Sequence, residues 1–133
     1  MVSQTGKYAL RILGYLADHS GSWVLGREVA AATGIPANYL GKILNQLRKA
    51  GYVVSQKGWG GGFMLATGKL RASIAGVVEA IDGRRPADKC VFELGRCNSK
   101  NPCPLHEHWQ RVNEQLDTML AQVTIGSLGR EAE

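Results

Sequence analysis

Apolar side chains recur about once per helical turn near the start of the chain, at Tyr8, Ile12, Leu13 and Leu16. That spacing predicts an amphipathic helix over residues 5–19, closed by the turn residues Ser20-Gly21-Ser22. A short second helix is expected over residues 26–33, with Val29 and Ala32 inward and Gly34 as a left-handed cap. Pro36 opens a third helix, where its missing N–H does no harm. Ile35, Leu40, Ile43, Leu44 and Leu47 form the inward stripe of that helix, and Gly51 stops it. Arg48 and Lys49 suit the negative end of its dipole.

The pattern then changes period. Residues 52–55 read as a strand and residues 63–65 as a returning one. Between them Gly58-Trp59-Gly60-Gly61-Gly62 makes a glycine-rich tip that cannot be helical. Ser73 is placed to cap a fourth helix, which buries Ile74, Val77, Val78 and Ile81 and ends at Gly83. A loop with three cysteines follows over residues 84–103. Pro104 starts a last helix. Along it Leu105, Trp109, Val112, Leu116, Met119 and Val123 step alternately by four and three residues, a heptad-like seam suited to a second copy or to the chain's own core. The segment 126–133 reads as a frayed tail.

The fold class is therefore mainly α with a small β-hairpin: a winged helix-turn-helix followed by a long C-terminal dimerisation helix. The expected organisation is 1–83 for the winged helix-turn-helix, 84–103 for the cysteine loop, 104–125 for the dimerisation helix and 126–133 for a flexible tail. No stretch approaches the ~20 apolar residues of a membrane span, and residues 1–7 lack the pattern of a signal peptide. The expected location is cytoplasmic.

Charge adds a partner. The chain carries +5 overall, but residues 1–71 hold nine Lys/Arg against two Asp/Glu. A basic front half suits a polyanion such as double-stranded DNA, because neutralised phosphates release counterions. The outer face of the third helix offers Asn38, Tyr39, Lys42, Asn45 and Gln46, hydrogen-bonding residues without an acid. Ala37 and Gly41 keep it slim enough for a major groove. At the hairpin tip, Lys57 and Trp59 flank backbone that Gly60 and Gly61 leave bare, for phosphates or an adjacent minor groove. The plainer alternative is that Gly60-Gly61-Gly62 only makes a tight turn.

Cys90, Cys97 and Cys103 fall within fourteen residues. Thiolates take soft metals and iron–sulfur clusters. Gaps of six and five residues fit the short ligand spacing of structural zinc poorly and suit a loop wrapped around a larger centre. Cysteine followed by proline, as at Cys103-Pro104, is common beside clusters. His106 is the nearest fourth ligand, with His108, a partner residue or an exogenous ligand as alternatives. Free thiols, a zinc site and a thiol–disulfide switch are the competing interpretations. Cys103 with His106 as a nucleophile–base pair is weak, because no orienting third residue is evident; the chain is not expected to be an enzyme.

Taken together, Tyr8-Ala9-Leu10-Arg11, Gly34-Ile35-Pro36 through Tyr39-Leu40, Leu47-Arg48-Lys49-Ala50-Gly51, Gly58 through Ala66 and Cys103-Pro104-Leu105-His106 resemble the Rrf2 family of winged-helix regulators, with its IscR-like, NsrR-like and RirA-like members. The resemblance spans nearly the whole chain. It implies a homodimer on a partly palindromic operator, with affinity governed by an iron–sulfur cluster (2Fe-2S or 4Fe-4S). The implied ligands are Cys90, Cys97, Cys103 and His106. The NsrR-like ligand mode uses a partner acid just before the tyrosine, and Lys7 stands there instead. The first cysteine gap is one residue longer than in those members.

Overall fold

The computed structural model describes residues 2–84 and 104–131. Its elements run α1 (Gln4–Asp18), α2 (Gly26–Thr33), α3 (Ala37–Lys49), β1 (Val53–Gln56), β2 (Gly62–Leu65), a 3-10 turn (Lys69–Arg71), α4 (Ile74–Asp82), α5 (His106–Gln122) and α6 (Ile125–Glu131). Helix α1 starts under Ser3, whose hydroxyl accepts from the Gly6 amide at 2.9 Å and donates to Asp82 at the end of α4. The apolar face of α1 is fully used: Ile12, Leu13 and Leu16 are buried, and Tyr8 is half-buried against them.

The second and third helices meet across the left-handed Gly34 (φ 74°). Pro36 sits one position earlier than a first-turn proline, as the N-cap of α3. All five residues of the expected α3 stripe, Ile35, Leu40, Ile43, Leu44 and Leu47, are buried. Ala32 was expected inward and is exposed; the two-turn helix turns Val29, with Ala30 partly buried beside it, to the core instead. Ser73 takes the N-cap place of α4, but its side chain does not cap. The backbone of the later chain does that work: the Ile74 amide donates to the Val123 carbonyl at 2.9 Å, and the Ile125 amide to the Ala72 carbonyl at 2.9 Å.

The strands pair antiparallel, with Val53 opposite Leu65 and Gln56 opposite Gly62. The hairpin is tied back to the helices. Val24, before α2, exchanges both backbone hydrogen bonds with Phe63, at 2.9 and 2.7 Å. Gly62 is needed beside this bridge: its φ is 135°, and a Cβ there would overlap the Val24 carbonyl. Tyr52, ahead of β1, is half-buried, with its hydroxyl against Gly76 and Lys69 over its ring at 5.2 Å. Burial, helped by the Glu79 carboxylate, raises its hydroxyl above the usual tyrosine range.

The expected frayed tail is a correction. Thr124 forms a bridge with Ser73, and residues 125–131 turn into α6, which packs back onto α1. Ile125 is completely buried, and Gly14 and Gly129 permit the close approach of the two helices: a Cβ on Gly14 would press the Leu128 backbone at 3.3 Å. Two apolar residues and two glycines in seven give little helix propensity of their own; docking on α1 supplies what local propensity lacks. Replacing Ile125 by alanine is therefore expected to destabilise the fold by about 2–5 kcal/mol in urea denaturation, because its side chain is completely buried at the start of α6.

Candidate nucleic-acid interface and cysteine segment

The buried stripe of α3 fixes its opposite face toward solvent. Turning by about 100° per residue, Asn38, Lys42, Asn45 and Lys49 centre that face; Tyr39 and Gln46 lie on one edge, Gly41 and Arg48 on the other. All eight are exposed, Tyr39 by 53%. Arg48 donates from Nη2 to Asn45 Oδ1 at 2.8 Å, so the Asn45 carbonyl is engaged within the helix. Asn38, Tyr39, Lys42 and Gln46 keep their side chains in solvent on the same face.

The hairpin stands beside the Gly41–Arg48 edge, close enough that Arg48 and Lys57 line one groove. Lys57 and Gly60 are exposed, and Trp59 is entirely so, covering no apolar surface of its own chain. Gly61 is a correction. It is buried, its amide donates to the Gly58 carbonyl at 3.1 Å, and a Cβ there would overlap the Gln56 carbonyl. Its lack of a side chain serves the turn, and the approachable backbone is that of Gly58–Gly60. Arg48, in sequence only a charge suited to a helix end, also lines this groove.

The cysteines Cys90, Cys97 and Cys103 lie outside the described residues. His106 is the first residue of α5 and is half-buried. His108 is exposed and accepts from Arg111 Nη2 at 3.2 Å on its Nδ1. Among the described residues no three His, Cys, Asp or Glu gather as a metal site. Along α5 the predicted seam divides. Trp109 and Leu116 are half-buried, with Leu116 packed on the same core as the fully enclosed Leu120. Val112 and Met119 face outward, 52% and 48% exposed.

A winged helix-turn-helix with an acid-free outer face on its third helix is the architecture of a DNA reader. The family model described as "Iron-dependent Transcriptional regulator", Rrf2, matches residues 2–131. The chain belongs to the Rrf2 family. This Rrf2 protein is 32% identical over 133 residues to the HTH-type transcriptional regulator IscR of Vibrio vulnificus, covering 99% of this chain and 79% of that one. Its fold matches CymR, the global cysteine regulator of B. subtilis, with a TM-score of 0.81 at 22% identity over 100% of this chain and 98% of that. It matches T. potens IscR with a TM-score of 0.74 at 25% identity over 100% and 88%. The Rrf2 protein is thus a DNA-binding transcription regulator rather than an enzyme. No described helix is long and apolar enough to cross a membrane.

Two groups of side chains should separate in binding assays. Lys57→Ala is expected to weaken binding to all duplexes alike and to lower the salt slope by about 0.9. Asn38→Ala and Tyr39→Ala are expected to change sequence preference, by about 1–3 kcal/mol for a lost base contact, in a selection from random duplexes.

Proposed function

We propose that this Rrf2 protein is a homodimeric, cytoplasmic repressor whose affinity for a double-stranded DNA operator is set by an iron–sulfur cluster, 2Fe-2S or 4Fe-4S, held by Cys90, Cys97, Cys103 and His106. The observation that carries this is the donor set: three thiols and one imidazole in seventeen residues, in a chain one-third identical to an IscR. Soft thiolate donors fit such a centre, and Arg84, Arg85, Lys89 and Arg96 supply positive charge nearby in sequence to offset its negative charge. Bound there, the cluster would supply a centre whose charge and integrity change with iron supply, nitric oxide or oxidants. His106 begins α5 and Arg84 follows α4, so the ligand segment is tethered at both ends to the helical body. Lys7 cannot serve as a carboxylate ligand.

Protein made without oxygen and supplied with iron and sulfide is expected to be coloured, with stoichiometric iron and labile sulfide. Cys90→Ala is expected to bleach it and to change operator affinity. A colourless, iron-free protein whose operator binding ignores Cys90→Ala would overturn the proposal; bound zinc or an oxidised cysteine pair in its place would favour a zinc-holding or thiol–disulfide regulator.

The dimer is assigned to α5. Val112 and Met119 give an outward apolar stripe one side of the residues that Leu120 anchors to the core. Val112→Asp is expected to convert dimer to monomer in sedimentation while leaving the helical content of the monomer in place, since Val112 is 52% exposed and lies outside the buried core.

A further inference from the structure

A groove of about 350 Å³ runs between α3 and the hairpin. Gly41, Asn45 and Arg48 form one wall; Ser55, Gln56 and Lys57 contribute to the other. Two cations line it and no acid does. Arg48 is held rather than free: its guanidinium donates to Asn45 Oδ1 at 2.8 Å, one turn back along α3. A side chain ordered in advance loses less rotamer freedom on meeting an anion. At the upper end of the wall, a Cβ on Gly41 would have nothing within 4 Å, so the helix backbone itself can be approached there.

We propose that this groove clamps one phosphodiester strand of duplex DNA, with Arg48 and Lys57 as the contacts to phosphate and Asn45 as the positioning residue that aims Arg48. Three observations favour a phosphate over a base edge. Arg48 lies in the last turn of α3, on the edge beside the hairpin rather than at the centre of the polar face. Its neighbours across the groove, Ser55, Gln56 and Lys57, supply hydroxyl, amide and ammonium donors. The planar guanidinium fork matches phosphate oxygens two at a time. The clamp rests on the assignment of α3 and the hairpin as the DNA-reading surface, and it gives Lys57 a phosphate partner rather than a minor-groove one. Its consequence is a division of labour along one helix: the Asn38–Tyr39–Lys42 end reads sequence, and the Asn45–Arg48 end sets register on the backbone.

The test uses the full chain, a duplex selected from random sequence by the wild-type protein, and a scrambled duplex of equal length, titrated at salt concentrations from about 50 to 200 mM. Arg48→Gln is expected to weaken binding to both duplexes by the same factor and to reduce the log–log salt slope by about 0.9; adding Lys57→Gln should double that reduction. Arg48→Lys, which keeps the charge and loses the fork, should keep the slope and lose affinity severalfold. Asn45→Ala should do likewise. An unchanged slope for Arg48→Gln would overturn the clamp, and so would a loss confined to the selected duplex, which would make Arg48 a base reader. Asn45→Ala with wild-type affinity would overturn the positioning role. A wild-type protein with no salt-dependent duplex binding would overturn the DNA-reading surface itself, whereas a normal wild-type slope beside an indifferent Arg48→Gln fails the clamp alone.

Discussion

One apolar face of α1 is the surface on which the other functional elements rest. Ile12, Leu13 and Leu16 are all but inaccessible to solvent, and α2, α3, α4, β2 and α6 each lean on the helix that carries them. An α-helix can bury only a stripe of its surface, so every element that docks there is forced to turn its other side outward. For α3 the inward side is Leu40, Ile43, Leu44 and Leu47, and the outward side is by that fact the solvent-facing polar face proposed to meet DNA. The reading surface is exposed because its opposite face is fully occupied.

The hairpin obeys a second constraint. Two short strands alone are marginal in water, and here the sheet is held by Leu65 and Val53 against the core and by the Val24–Phe63 backbone bridge. That bridge needs a glycine at position 62, and the tight tip needs another at 61. What remains for solvent is a tip carrying Lys57, Trp59 and Gly60. The angle between tip and α3 then follows from packing, and the groove that joins Arg48 to Lys57 exists only because both sides of it are anchored.

The C-terminal third links the two halves of the molecule. Helix α5 packs on α4 through Leu116 and Leu120, and the chain then bridges to Ser73 and closes with α6 on α1. The segment with the cysteines leaves from α4 and returns into α5, both of which belong to the same core as the DNA-reading helices. The Ser3–Asp82 hydrogen bonds add a direct tie between the start of α1 and the end of α4. In the proposed switch, a change between α4 and α5 would reach the reading helices through the packed contacts of those two helices.

The periodicity of the chain was enough to determine six of the eight helices and strands, because each of these carries its own period: 3.6 for α1 to α5, including the Pro36, Gly34 and Gly83 boundaries, and the switch at Val53. The second strand was legible from Phe63 onward. The donor types in Cys90, Cys97, Cys103 and His106 were likewise a property of sequence alone, since chemistry rather than position makes a thiol or imidazole a ligand. Tertiary structure decided the rest. Helix α6 has too few apolar residues to announce itself, and it folds because Gly14 and Gly129 let it lie close on α1. The inward turn of Gly61, the outward turn of Ala32, the division of the α5 seam into core-facing Leu116 and solvent-facing Val112, and the pairing of Arg48 with Lys57 all depend on which surfaces meet. A local pattern records what a segment could bury; only the packed neighbours determine what it does bury.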